Sequence, residues 1–226
     1  MKTTIAFLGF ILMITACQKN ELPGVQNDKS TQPTMSAAKN ATAKWATTNL
    51  SVTRYRNGDI IPEVQDPAAW AALTTGAWCW YNNDPANSAY GRLYNWYAVN
   101  DPRGLAPKGY HVATNAEWDQ FSAKYGGDAL SGGSLKATGT VEGANGLWYA
   151  PNTGATNSSG FSGLPGGKRS FIDNSFVYNR YIGYYWSSTE NSSVDAWNRQ
   201  LNFNSIILDK LYSYKQDGMS VRCIKD

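Results

Sequence analysis

Apolar and polar positions along the chain fall into separate regimes, and each regime predicts a different element. The clearest periodic segment starts at Thr114. Thr114-Asn115-Ala116-Glu117 has the spacing of a capping box, after which Trp118, Phe121 and Tyr125 recur at i, i+3 and i+7 until Gly126-Gly127 stops the helix. A shorter helix is predicted from Asp66-Pro67, an N-cap followed by proline at the first helical position. It runs through Trp70 and Leu73 to a stop at Thr74-Thr75-Gly76. Alternation marks Ala77 to Asn82 as a strand, with Trp78 and Trp80 on one face and Cys79 and Tyr81 on the other. Gly91 to Val99 reads equally as a strand or as a strand running into a helix. From Gly139 to Gly167 the density of Gly, Asn, Ser, Thr and Pro predicts long ordered loops anchored by Trp148, Tyr149 and Phe161. Alternation returns at the end of the chain, predicting strands at Ile182–Ser188, Ala196–Phe203, Ile206–Tyr214 and Met219–Ile224. Gln216-Asp217-Gly218 is expected to be a hairpin turn before the last of these.

The head of the chain follows none of these periods. Lys2 is followed by an apolar run from Ile5 to Ile14, and small Ala16 precedes Cys17, the layout of a secretory signal. The run is too short to span a bilayer, which takes about 20 apolar residues. Ile14-Thr15-Ala16-Cys17 resembles the bacterial lipobox, in which the cysteine is acylated and becomes the new N-terminus. Residues 1–16 are therefore expected to be a signal peptide and Cys17 the lipid attachment site. Residues 17–44 hold almost nothing to bury and read as a lipidated flexible tether, leaving 45–226 as a single domain. Cys17-Gln18-Lys19-Asn20-Glu21 resembles, with one acid only, the Lys-plus-acid signal of some Bacteroidetes-type surface lipoproteins. The expected location is the cell envelope, as a surface-exposed outer membrane lipoprotein held to the membrane by its N-terminal lipid.

Composition narrows the chemistry. The formal charge is +3, from 20 Lys and Arg against 17 Asp and Glu, with no basic block, which argues against nucleic acid as a partner. One histidine, His111, and three cysteines, one assigned to lipid, cannot build a Cys/His zinc site, so no cofactor or metal is expected. Gly58-Asp59, Asn82-Asn83-Asp84 and Asp128 lack EF-hand spacing and read as turns. Cys79 and Cys223 are the thiols left in an exported domain, and a disulfide between them is expected, with two buried free thiols as the alternative. Nine Trp and 14 Tyr in a chain only 16% charged, with 21 Gly for turns, suit an antiparallel, turn-rich extracellular module.

Six ordered blocks carry a family resemblance: Trp78-Cys79-Trp80-Tyr81-Asn82-Asn83, Tyr90 to Val99, Gly109 to Trp118, Gly160-Phe161-Ser162-Gly163-Leu164-Pro165-Gly166-Gly167, Tyr185-Trp186-Ser187-Ser188-Thr189-Glu190 and Ser220-Val221-Arg222-Cys223. Together they resemble the Fibrobacter succinogenes major paralogous domain, which implies bacterial lipoproteins with no settled activity. Ala113-Thr114-Asn115-Ala116-Glu117-Trp118-Asp119 and Ser220-Val221-Arg222-Cys223 are also similar to segments of the formylglycine-generating-enzyme superfamily. That likeness implies an α+β, C-type-lectin-like fold: a twisted antiparallel sheet, one or two helices and long ordered loops between Gly126 and Tyr181. The oxidase's active-site cysteine pair is not reproduced. The Glu-Pro-Asn, Gln-Pro-Asp and Trp-Asn-Asp sugar motifs of calcium-dependent lectins are missing from the loop region, so neither activity follows from the fold.

Three functions remain. The first is a non-catalytic module binding an extracellular glycan or protein through a loop face bearing Trp148, Tyr149, Trp186, Glu190, Asn191 and Asn198, which joins ring faces to hydrogen-bonding groups. Against it, Trp186 and Trp197 read as cross-strand core partners with Glu190 paired to Arg199. The second is a structural adhesin or assembly subunit. The third is a glycan-active enzyme using two of Glu117, Glu142, Glu190 and Asp195, although Glu117 is better explained by its capping box.

Overall fold

The computed structural model describes residues 44–226; the expected signal peptide, the lipid-bearing Cys17 and all of the tether except Lys44 lie outside the described residues. Helix α1 (Pro67–Ala71) is capped by Asp66, whose carboxylate accepts the Ala69 N–H at 2.8 Å. Strand β1 (Trp78–Cys79) pairs antiparallel with β2 (Leu93–Tyr94), and β2 passes through Asn95 into α2 (Trp96–Val99), so the ambiguous segment is a strand running into a helix. Strand β3 (Tyr110–Val112) leads into α3 (Asn115–Ala123), where both bonds of the Thr114–Glu117 capping box form. A further helix, α4 (Asp128–Leu135), precedes the loops. The main sheet follows: β4 (Gly166–Arg169), β5 (Phe176–Asn179), β6 (Ile182–Glu190), β7 (Asp195–Asn202) and β8 (Leu208–Tyr214), ordered β5-β4-β6-β7-β8 and antiparallel except for β4 beside β6. Strand β9 (Cys223–Lys225) returns to pair with β3. The class is α+β, with short helices around a largely antiparallel sheet.

Departures from the sequence reading have local causes. Among the described residues there are four α-helices where one or two are expected, and α4 carries Gly132 and Gly133 in its interior and so does not read as a helix. Both glycines are required by contact: a Cβ on Gly132 would lie 2.5 Å from the Ile207 carbonyl oxygen, and one on Gly133 2.3 Å from that of Gly154. Strands β4 and β5 interrupt the expected loop region. The turn at Gln216-Asp217-Gly218 does not make a hairpin; the chain leaves β8 there, and Gly218 bridges Arg169 while Met219 bridges Tyr94.

The main sheet lies between two cores. On β6, Tyr184 and Trp186 enter one cluster with Trp78, Tyr94, Trp96, Ala196 and Val221, whereas Tyr185 enters the other with Trp118, Trp148, Phe161 and Leu201. The period of two thus serves both faces. Cys79 belongs to a third cluster with Trp70 and Leu93, and Cys223 to the first. The expected disulfide is corrected accordingly: both cysteines are free, buried and in separate cores, and burial pushes each thiol up to about 12.

Among the described residues four cations are fully buried; three fasten loops to these cores and the fourth, Arg199, joins β7 to α3. The Lys136 ammonium donates to the carbonyls of Thr153, Asn202 and Ser205, each at 2.8 Å, one acceptor per N–H. Burial alone lowers its pKa to about 8, and the three carbonyls favour the charged form. Arg222 donates to Asn49 Oδ1 and to the carbonyls of Ala46, Phe161 and Ser162 at 2.6–2.8 Å, with its guanidinium 4.3 Å from the Phe161 ring centre. Arg169 donates to the carbonyls of Val64 and Gln65 and stacks on Trp70. Arg199 reaches Asn115 and Asp119 on α3.

Candidate binding site

Strand β8 has no partner on its outer side and presents several exposed apolar side chains: Leu211, Tyr212 and Tyr214, with Val194 and Ile172 nearby. By alternation Tyr212 and Tyr214 share one side of the strand, opposite Trp197 and Asp195 of β7. Tyr212 is 60% exposed and Tyr214 44%, and each is met from the side by another ring, Tyr212 by Trp197 at 6.0 Å and Tyr214 by Phe171 at 5.4 Å. Around the end of this strand opens a cleft of about 340 Å³ lined by Lys168, Ser170, Ile172, Val194, Asp195, Tyr212, Ser213, Tyr214 and Asp217.

Its polar groups are held in place. The Asp217 carboxylate, almost wholly buried, accepts from the Lys168 ammonium at 2.8 Å with one oxygen and from the Phe171 N–H at 2.8 Å with the other. Lys168 also lies 5.6 Å from the Tyr184 ring centre. At the β6–β7 turn, Asn191 donates to Asp195 at 2.8 Å, and Lys215 pairs with Glu190 and donates to the Ser193 carbonyl. The cleft therefore combines exposed ring and aliphatic surface with fixed donors and acceptors, the make-up of a recognition site.

The residues expected to form a ligand face are not brought together. Trp148 and Trp186 are fully buried, their indole N–H groups donating to the carbonyls of Gly163 at 3.0 Å and Tyr94 at 2.9 Å. Asn198 is buried too, donating to Ser213 Oγ. These three cannot contact a ligand: Trp186 and Asn198 occupy inward-facing positions of β6 and β7, and Trp148 is held in the second core from the loop region. Tyr149 is half-buried elsewhere, against Tyr181 at 4.7 Å. Glu190 and Asn191 are exposed and adjoin the cleft through Asp195. The core alternative is also modified: Trp186 is opposite Asn198, so Trp186 and Trp197 lie on opposite faces, and Arg199 pairs with Asp119 instead of Glu190. Sequence reasoning missed Lys168, Ile172, Tyr212, Tyr214 and Asp217. The one available signal was the alternation of Lys210, Tyr212 and Tyr214 in a segment whose successor turns away.

Other candidate chemistry is occupied. His111 is hydrogen-bonded on both ring nitrogens, to Glu117 at 2.6 Å and Asp226 at 2.7 Å, leaving neither free to activate a hydroxyl. Glu142 accepts the Ala150 N–H. A second groove of about 340 Å³, between residues 46–52 and Pro107–Tyr110, has a single ring, Tyr110, and no charged lining residue. Among the described residues no group of three or more His, Cys, Asp or Glu could hold a metal ion, and no helix is long and apolar enough to cross a membrane. The model of one protein family, the Fibrobacter succinogenes major domain, matches residues 39–225. No curated protein and no solved structure matches the chain.

Proposed function

The chain belongs to the Fibrobacter succinogenes major domain family, and from that premise we propose that it is a non-catalytic binding module for an extracellular glycan or protein, carried on a lipid-anchored tether. The observation that carries this reading is the pair of exposed tyrosines on β8 beside the Lys168–Asp217 cleft. The binding face so assigned replaces the buried Trp148, Trp186 and Asn198, while Glu190 and Asn191 flank it. Both oxygens of the cleft carboxylate Asp217 are engaged, one by Lys168 and one by the Phe171 N–H, an arrangement that holds the Lys168 ammonium in place at the cleft and does not suit proton transfer.

The architecture is read as C-type-lectin-like, supported by α3 and α4 flanking the sheet, the long loops before β6, and the bridge of Trp45 to Ile224 that joins the two ends of the domain. Cys17 and the polar segment after it support placement at the outer membrane surface. A second reading, assembly with other subunits, is favoured by the open β8 edge, since an unpaired strand is a template for strand addition.

Binding of the purified full chain to immobilised glycans and matrix proteins tests the proposal. Tyr212→Ala is expected to weaken binding at least about tenfold with the melting temperature unchanged, as befits an exposed aromatic anchor. Wild-type binding to nothing, accompanied by self-association that Tyr212→Ala abolishes, gives the assembly reading its place.

A further inference from the structure

Resting on that reading of the β8 cleft, we propose that its ligand is a neutral, hydroxyl-rich saccharide chain and that polyanionic glycans are rejected. The cleft's one cation among the described lining residues is Lys168, and it is already neutralised by Asp217 at 2.8 Å. The neighbouring cations are committed as well: Lys215 to Glu190 and the Ser193 carbonyl, Lys210 to Asp119. Asp195 adds an uncompensated carboxylate to the lining, hydrogen-bonded only by the Asn191 amide. A sulfate, phosphate or uronate entering the cleft would meet no free cation and one like charge, and like-charge juxtaposition is what excludes wrong partners.

The whole surface reinforces this, against the impression given by a sequence pI near 8.6. Lys136, Arg169, Arg199 and Arg222 are fully buried, three of them bonded mainly to main-chain carbonyls. With these four set aside, Asp and Glu outnumber Lys and Arg over residues 44–226. Over residues 44–226 Lys and Arg exceed Asp and Glu by only one, and the four buried cations expose no surface for contact, so the domain has little net charge with which to draw in polyanions.

A sugar hydroxyl both donates and accepts, and what it needs is a donor and an acceptor side by side. The locked Lys168–Asp217 pair, the hydroxyls of Ser170 and Ser213 and the phenols of Tyr212 and Tyr214 provide that mixture with no net demand for charge. Two tyrosines spaced i, i+2 on one strand stand about 7 Å apart, a platform for successive pyranose rings to lay their C–H faces on. Trp197 and Phe171 brace that platform from the side, so its rings lose little freedom when a ligand arrives.

The test titrates the full chain by calorimetry with neutral hexasaccharides (cellohexaose, xylohexaose, mannohexaose, laminarihexaose) and with anionic ones (hexagalacturonate and a heparin hexasaccharide). Binding of a neutral hexasaccharide is expected, unchanged between about 50 and about 500 mM NaCl, where screening removes most surface electrostatics. Tyr212→Ala and Tyr214→Ala should each weaken it at least about tenfold without lowering the melting temperature. Tighter, salt-sensitive binding of an anionic hexasaccharide, lost in Tyr212→Ala, overturns the neutral class while leaving the cleft as the binding site. Tyr212-dependent binding of an extracellular protein with no saccharide binding does the same. Failure of every saccharide and protein to bind overturns both the class and the cleft.

Discussion

Lys136 shows how differently a residue reads in sequence and in the fold. Between Leu135 and Ala137 it looks like an ordinary solvated lysine, yet its ammonium is fully buried among three carbonyls that lie 17, 66 and 69 positions away. Replacing it by Met keeps the volume, leaves the Thr153 and Ser205 oxygens without the ammonium donor, and leaves the Asn202 oxygen with the Ser205 N–H at 3.3 Å. Lys136→Met is expected to cost about 2–5 kcal/mol, since each buried acceptor left without its donor costs about 1–3 kcal/mol, and denaturant unfolding measures it. The cysteines teach the same lesson, since nothing in their spacing reveals that Cys79 and Cys223 enter separate cores. Both thiols are expected to resist alkylation in the native protein and to react fully in denaturant, with the same melting temperature in the presence and absence of reductant. Rapid native labelling, or a melting temperature that falls on reduction, contradicts this. Trp148, Trp186 and Asn198 were not distinguishable from surface residues by type alone, because alternation tells which residues share a face but not which face meets solvent.

At the scale of elements, local rules were legible wherever the partners are neighbours in sequence. The Asp66 cap of α1, the Thr114–Glu117 capping box of α3 and the alternation of β1, β6 and β7 are all written within a few residues. α4 was hidden because Gly132 and Gly133 satisfy a close tertiary approach at the expense of helix propensity. The start of α3 is also tied to β3 and the chain's last residue through His111, and that tie is pH-dependent. Burial disfavours the charge on His111, but its ring N–H groups' hydrogen bonds to the Asp226 and Glu117 carboxylates outweigh it and raise the pKa above 6.5. For Glu117, burial works upward, and the Thr114 N–H together with His111 holds it below 4.5. Histidine's contribution is complete below its ordinary pKa and fades as pH rises through the raised value. The carboxylate's is complete above its ordinary pKa and fades as pH falls. The link is thus strongest between 4.5 and 6.5. His111 is 37% exposed in its side chain, so screening limits the contribution to about 1 kcal/mol or less. Thermal melts across pH are expected to show a small decline above 6.5 in the wild type that His111→Gln removes.

For the whole molecule, the antiparallel, aromatic-rich character followed from composition and period and the α+β class from the family resemblance, whereas the cleft followed from neither. An edge strand is defined by what fails to pair with it, and β8 became an edge only because the chain turns away at Asp217 toward Arg169 and Tyr94. The proposed tether and lipid belong to this scale as well. Cys17→Ala is expected to move the protein from the membrane to the soluble fraction and remove the acyl mass, with the melting temperature unchanged; a variant still membrane-bound contradicts the anchor. One further consequence comes from where the buried cations bind. Lys136 and Arg169 reach main-chain oxygens alone, and Arg222 takes three of its four contacts from them. Every amino acid carries the same carbonyl, so the side chains at Thr153, Ser205 and Ala46 can be exchanged while the acceptors that hold Lys136 and Arg222 keep their chemistry. Loop sequences on this frame are free to drift, and a lineage that duplicates the gene can rewrite its surface repeatedly while inheriting one unaltered set of fastenings.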